Sequence, residues 1–272
     1  MRGTFQIAIG IAKLGMLVLL CGFIGPSTHF TGSIKDRTDV DLELILAVDT
    51  SNSMNAAQLT LQHNGYVRAF RHQDLIQAIE TGPRGRIAVL YMEWAGPKHQ
   101  VVVVPWTIID EPADAIRFAN SLAVQPLSQT IESNPGTSIS HALLFAEALF
   151  TRGPMHGVRR VIDISGDGPN NSGVPVAPVR DALVAQGITI NGLPIALPRL
   201  NPEELKLYYE ACVIGGANAF TFVINDISRF DETIRRKLLT EIVAQQAKVL
   251  KIRQNAPKLG FDCSAVGDHP GR

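Results

Sequence analysis

Oxygen-bearing side chains gather at three places in this chain, and together they have the chemistry of a cation site. Asp49, Ser51 and Ser53 place a carboxylate and two hydroxyls at alternate positions directly after an apolar run. Downstream, Thr137 lies in a Pro-Gly-Thr-Ser turn and Asp167 lies between two glycines. The set contains no imidazole and no thiol. Oxygen donors of this kind favour Mg²⁺, Mn²⁺ or Ca²⁺ over Zn²⁺ or copper.

The segments around these residues alternate between strand-like and helix-like patterns. Val40–Val48 is a nearly continuous apolar run, which is typical of a parallel strand covered on both faces. Strands are also predicted at Arg86–Trp94, Val101–Thr107, Val161–Ser165, Ile188–Ile195 and Ala219–Ile224, and helices at Ala56–Phe70, Glu111–Val124, Ser138–Thr151, Val176–Gln186, Pro202–Cys212 and Asp226–Gln246. This alternation predicts an α/β fold with a three-layer, doubly wound, mostly parallel sheet and helices on both faces.

In such a sheet the carboxyl ends of the strands meet at one edge, where ligands bind. Asp49 and Asp167 both follow predicted strands, so we expect them to lie together at that edge. Each of these polar segments also has a simpler interpretation, because Asp and Ser after a strand often cap the next helix. We interpret Asp163, which lies inside its strand, as a buried hydrogen-bonding carboxylate and not as a metal ligand. Asn170 and Asn171 either line the rim of the site or shape a turn.

The pattern Asp49-x-Ser51-x-Ser53, followed by Thr137 and Asp167, resembles the metal-ion-dependent adhesion site (MIDAS) of von Willebrand factor type A (vWA) domains. The resemblance implies the Rossmann-like vWA fold and a site that holds Mg²⁺, or Mn²⁺ or Ca²⁺ in its place. It also implies that the three hydroxyls bind the metal directly and the aspartates directly or through water. An acidic residue of an unknown protein partner would complete the shell.

Longer segments resemble a bacterial family of exported vWA-like domains of unknown function, DUF1194. They are GRIAVLYMEWAGP, VVVPWTII, RRVIDISGDGPNNSG, ITINGLPI and YYEACVIGGANAF. The sequence departs from the common vWA pattern at Asn52, where glycine is frequent, but this removes no ligand.

The termini differ from the rest of the chain. The apolar run Leu14–Ile24 is too short for a membrane span, which needs about 20 residues, and is typical of a signal peptide. We predict a signal peptide or N-terminal anchor at residues 1–32, a vWA-like domain at 38–248 and a loosely ordered tail at 249–272. The mature protein is expected in the periplasm or elsewhere in the cell envelope, with no membrane contact beyond that anchor.

Cleavage of the signal would remove Cys21 and leave Cys212 and Cys263 in an oxidising compartment. Two alternatives stay open at this point. Either these two cysteines form a disulfide that ties the tail to the domain, or Cys212 is a buried free thiol and Cys263 lies in a disordered tail.

Charge and motifs narrow the function further. Lys and Arg total 25, as do Asp and Glu, so the chain lacks the basic excess of a nucleic-acid-binding protein. It also lacks the sequence motifs of common hydrolases and nucleotide-binding enzymes, and the polar set contains no obvious general base. The sequence favours a metal-dependent protein-interaction module that is not an enzyme. The alternatives are a domain whose metal only stabilises the fold, and a metal-dependent hydrolase.

Overall fold

The computed structural model describes residues 37–126, 136–196, 201–244 and 262–263, all within the compact unit Lys35–Arg272. Its central layer is a five-stranded sheet. The strands are β1 (Thr38–Asp49), β2 (Ile87–Trp94), β3 (Gln100–Ile109), β4 (Met155–Gly166) and β5 (Ile188–Pro194). Their order is β3-β2-β1-β4-β5, and every neighbouring pair is parallel except β2 with β3. The prediction of a mostly parallel α/β sheet is confirmed.

Helices cover both faces of this sheet. They are α1 (Ala56–Phe70), α2 (Gln73–Glu80), α3 (Pro112–Ala123), α4 (Ile139–Arg152), α5 (Val176–Ala185), α6 (Pro202–Tyr208) and α7 (Phe230–Val243), with a π-helical turn at Tyr209–Val213 and a 3₁₀ turn at Ile227–Arg229. One apolar cluster joins the sheet to α1, α2, α3 and α7, and the other joins it to α4, α5 and α6. β1 supplies Leu44 and Leu46 to the first cluster and Ile45 and Ala47 to the second, so its continuous apolar run is buried on both faces.

Two local expectations from the sequence differ from the structure. The short helix α2 was not predicted, and it buries only Leu75 and Ile79. The predicted strand Ala219–Ile224 is wrong as a regular strand. This segment lies along β5 but forms only isolated bridges, which join Thr221 to Gly192 and Ile224 to Ile195.

The predictions for residues 1–32, for Pro135 and for most of the tail lie outside the described residues. Within the ranges that the structure does describe, no helix is both long and apolar enough to cross a membrane.

The core contains a buried ionic cluster between β4 and α7. Lys237 is fully buried and pairs with Asp163 and, at 2.5 Å, with Glu241 Oε1. Burial lowers the pKa of Lys237, but the charges of Asp163 and Glu241 outweigh this effect and the pKa is raised. Burial and then the charge of Asp163 raise the pKa of Glu241 to about 7. Asp163 is therefore a buried structural carboxylate, and Lys237 is the cation that offsets it.

We expect Lys237→Met to destabilise the fold by about 3–5 kcal/mol at neutral pH, because it leaves two buried carboxylates without their counter-charge. Urea unfolding measures this change. The loss should shrink below about pH 4, where both carboxyl groups are protonated in the folded and the unfolded chain. Arg236→Met, at the preceding exposed position, is the matched control and should change stability by less than about 0.5 kcal/mol. Equal effects of the two substitutions would contradict the role of Lys237.

A disulfide joins Cys212 to Cys263, with the Cα atoms 5.7 Å apart. Cys212 is fully buried beside α6, and Cys263 packs partly buried against the same apolar cluster. Of the two alternatives for these cysteines, the structure confirms the disulfide. The bond holds residues 262–263 against the domain.

We expect Cys263→Ser to reduce the free energy of unfolding by about 3–4 kcal/mol, because the bond closes a loop with a sequence separation of 51 residues. Urea unfolding with and without reductant measures this. Reductant should destabilise the wild type to the same extent and leave the variant unchanged. Two free thiols in the denatured, unreduced wild-type chain without its first 32 residues would contradict the prediction.

Candidate metal site

The loop after β1 is fixed by the last residue of that strand. Asp49 is fully buried, and its Oδ1 accepts a hydrogen bond of 2.7 Å from the Ser51 N–H. The Thr50 N–H donates to the Trp94 carbonyl at the end of β2, at 2.8 Å. The loop ends at Asn55, whose side chain caps α1 by accepting from the Gln58 N–H. The Asp49 carboxylate is therefore buried beneath this loop.

Two serine hydroxyls bridge this loop to the end of β4. Ser51 Oγ and Ser53 Oγ are 2.9 Å apart, and Ser53 Oγ donates to Asp167 Oδ1 at 2.6 Å. Ser51 is buried, whereas Ser53 is exposed at the surface of the site. The hydrogen-bonded chain therefore runs from Asp49 through both serines to Asp167. Four of the five predicted metal ligands meet in one network.

Thr137, the fifth predicted ligand, is held beside this network through its backbone. Its N–H donates to Asn171 Oδ1 at 2.7 Å, and its carbonyl accepts from the N–H groups of Asn171 and Ser172. Gly136, directly before it, has a φ of 65°, a left-handed conformation that favours glycine. Thr137 is thus fixed to the loop that carries Asp167, and its own hydroxyl is not part of the hydrogen-bonded chain.

Asn170 and Asn171 shape the turn that holds Thr137. This is one of the two roles considered for them, the other being to line the rim of the site. Asn170 Oδ1 accepts from the Ser140 N–H at 3.0 Å, so both asparagines tie the Asp167 loop to the start of α4. Sequence reasoning missed Gln62, whose Nε2 donates to the Asp49 carbonyl at 3.1 Å. Its only signal was a polar residue on the apolar face of α1.

The two carboxylates of the site are buried together, and no described residue forms an ion pair with either of them. Burial and then the charge of Asp167 raise the pKa of Asp49 to about 8, and burial also raises the pKa of Asp167. Asp49 Oδ2 is buried and has no hydrogen-bond partner among the described residues. A divalent cation would neutralise both groups, and the all-oxygen donor set suits a hard ion. The residues present therefore fit the metal that the motif implies.

The site differs from a zinc centre in its ligand types. Across the described part of the chain, no three His, Cys, Asp or Glu residues are grouped so as to hold a metal ion. Hydroxyl oxygens from serine and threonine would have to supply the remaining ligands at Asp49 and Asp167.

The architecture is that of vWA domains. A von Willebrand factor type A domain from Catenulispora acidiphila is 18% identical, with a TM-score of 0.50 over 75% of this chain and 43% of that chain. The vWF domain of the pili tip protein Mfa5 from Porphyromonas gingivalis is 11% identical, with a TM-score of 0.54 over 78% of this chain and 98% of that one. At such identities the likeness shows the fold alone.

A third similar structure, proximal thread matrix protein 1 from the mussel byssus, has zinc in its MIDAS motif. It is 15% identical, with a TM-score of 0.52 over 75% of this chain and 46% of that one. This chain spans less than half the length of that protein and of the Catenulispora protein.

Within this class, the chain matches the family described as "Protein of unknown function (DUF1194)" over residues 39–246 and belongs to that family. No curated protein matches it in sequence.

The raised pKa of Asp49 predicts how the stability of the metal-free protein depends on pH. The folded state holds this proton more tightly than the unfolded state, in which a carboxyl group titrates near pH 4. The free energy of unfolding should therefore fall as the pH rises from about 4 to about 8. Glu241 contributes in the same direction up to about pH 7. Urea unfolding in the presence of a chelator, at several pH values, measures the slope.

Asp49→Asn isolates the contribution of the site, because it removes the titrating group and retains its shape. Between about pH 4 and about pH 8, the free energy of unfolding of the variant should fall less than that of the wild type. Identical slopes for the two proteins would contradict the assignment of the shift to Asp49.

Proposed function

We propose that this chain is an exported vWA-type domain that binds one divalent cation at a MIDAS-type site and uses it for metal-dependent protein–protein interaction. The observation that supports this most strongly is the hydrogen-bonded chain Asp49–Ser51–Ser53–Asp167. It joins two buried carboxylates that have no ion-pair partner among the described residues. Such a cluster is better suited to hold a cation than to stabilise an empty fold.

In this proposal the hydroxyls of Ser51, Ser53 and Thr137 bind the metal directly, and Asp49 and Asp167 bind it directly or through water. Mg²⁺ is the proposed ion, with Mn²⁺ and Ca²⁺ as alternatives of the same donor preference. When bound, the ion offsets the two carboxylates and offers a coordination position to an acidic side chain of a protein partner. The partner itself is unknown.

The same chemistry argues against an enzyme. No imidazole or thiol belongs to the hydrogen-bonded chain, and both carboxylates are committed to hydrogen bonds or to the metal, so we assign no general base. The pilus-tip origin of one similar vWA domain is compatible with an adhesive role. A domain in which the metal only stabilises the fold is the second candidate, because relief of repulsion between Asp49 and Asp167 would itself increase stability.

Calorimetric titration with Mg²⁺ and Mn²⁺ tests the site. Wild type should bind one ion, whereas Asp49→Asn and Asp167→Asn should each weaken binding at least about 100-fold, because each removes half of the negative charge that attracts the ion. Ser51→Ala should weaken binding less, because water can replace a neutral ligand. Asp226→Asn removes an exposed carboxylate elsewhere and should bind normally.

The metal-free acid variants should melt no lower than the wild type, since losing one of two neighbouring carboxylates relieves repulsion. Equal binding by wild type and both variants would overturn the proposed site.

Capture of envelope proteins with and without EDTA separates the two candidate functions. An interaction module should retain a partner only in the presence of metal, and the two acid variants should retain none. A domain that merely gains stability from the metal would bind the ion and lose no partner when EDTA is added.

Export is supported by the Cys212–Cys263 disulfide, because such bonds persist in oxidising compartments. We propose residues 1–32 as the signal peptide or anchor, 38–248 as the vWA-like domain and 249–272 as its tail, in the periplasm or cell envelope. N-terminal sequencing of the protein from the envelope fraction should start between Gly25 and Lys35 if the signal is cleaved. A cytosolic product that still begins at Met1 would contradict export.

A further inference from the structure

The turn that follows α6 is an unusual piece of backbone close to the metal site. Tyr209–Val213 forms a π-helical turn, closed by a hydrogen bond of 2.9 Å from the Ile214 N–H to the Tyr209 carbonyl. Turns of this kind often occur at functional sites. Arg180 Nη1 donates to the Ala211 and Ile214 carbonyls, and Cys212 carries the disulfide. The turn is therefore held firmly from outside the site.

Two adjacent tyrosines, Tyr208 at the end of α6 and Tyr209 at the start of this turn, extend towards the two carboxylate-bearing loops. Both side chains are buried, with exposed fractions of 1% and 0%. The Tyr208 hydroxyl accepts a hydrogen bond of 2.9 Å from the Asn170 N–H, three residues after Asp167. Tyr208 thus fixes the loop that holds Asp167 and, through Asn170, the start of α4.

Tyr209 reaches the other carboxylate, Asp49, across the surface of Gly166. A Cβ atom on Gly166 would lie 2.8 Å from Asp49 Oδ2 and 2.9 Å from the Tyr209 hydroxyl oxygen. The glycine therefore leaves these two oxygen atoms facing the same small space. Both are buried, and neither has a hydrogen-bond partner among the described residues. Burial, followed by the charge of Asp49, raises the pKa of Tyr209, so its hydroxyl remains a protonated donor.

We propose that Tyr209 is a positioning residue of the metal site, whose hydroxyl is the hydrogen-bond donor for Asp49 Oδ2 when the metal is bound. This inference rests on the proposed function. Ser51 already donates to Asp49 Oδ1, so a donor on Oδ2 would fix the carboxylate from both sides. Groups that orient a metal-binding side chain in this way commonly change metal affinity 10- to 100-fold. The Asp49-x-Ser51-x-Ser53 motif does not predict this role for Tyr209.

Tyr209→Phe in the full chain tests the proposal, because it removes only one oxygen atom. Calorimetric titration with Mn²⁺ should give a Kd at least about 10-fold higher than that of the wild type. Tyr66→Phe is the matched control. It also removes a fully buried tyrosine hydroxyl, but this hydroxyl is beside Ser165 and the charged groups that face it are Asp163 and Glu241. Its Kd should stay within twofold of the wild type.

Carbon-13 NMR of the wild type provides a second measurement that does not depend on a variant retaining its fold. The chain has only four tyrosines, so ring-labelled Cζ signals can be assigned individually. Addition of Mg²⁺ should shift the Cζ signal of Tyr209 as its hydroxyl changes hydrogen bonding, and should leave that of Tyr66 in place.

The outcomes distinguish this inference from the proposed function. If the wild type binds Mn²⁺ and Tyr209→Phe binds it equally well, or if Mg²⁺ leaves the Tyr209 signal unmoved, the role of Tyr209 is overturned and the metal site stands. If both Phe variants weaken binding equally, the effect is one of packing and the inference is likewise overturned. A wild type that binds neither ion overturns the proposed function, and the inference with it.

Discussion

The repulsion between two carboxylates at the ends of adjacent parallel strands is the constraint that organises this edge of the molecule. β1 and β4 pair in parallel, with Val48 opposite Ser165, so Asp49 and Asp167 emerge side by side. Both are largely buried, and their raised pKa values record the cost of ionising them there. The loops around them supply backbone N–H and hydroxyl groups that donate hydrogen bonds to the two carboxylates. Those donors direct the two groups at one another through Ser51 and Ser53, which concentrates negative charge at one point.

A second pair of buried carboxylates in the same core has a structural role and is paired with a buried lysine. Asp163 and Glu241 share the ammonium group of Lys237, which is as deeply buried as they are. Removing one partner from such a cluster is strongly destabilising, because the remaining charges lose their compensation. Within the described residues, the pair Asp49 and Asp167 has no equivalent lysine. This contrast, more than the presence of acids at a strand end, supports the proposal that Asp49 and Asp167 bind an external cation.

Elements outside the recognised motif supply much of the support for the site. Gln62 on α1 holds the Asp49 carbonyl, and Asn171 fixes the backbone of Thr137. Tyr208 and Tyr209 approach from the opposite face of the sheet, where α6 meets a turn that a disulfide ties to Cys263. The site is therefore built by both helical layers at once. Such support determines how well a few hydroxyls can hold an ion, because a ligand must already be oriented when the ion arrives.

The sequence by itself determined the alternation of strands and helices and the position of the polar residues at strand ends. Both follow from local pattern, and the parallel sheet then places Asp49 near Asp167. Only the tertiary structure decided which groups touch. A charged residue in a helix is normally solvent-exposed, yet packing buries Lys237, in the middle of α7, against Asp163. The disulfide, the irregular segment beside β5 and the approach of Tyr209 to Asp49 likewise depend on residues far apart in the chain. Their contacts are set by how the layers pack, and no local periodicity records that packing.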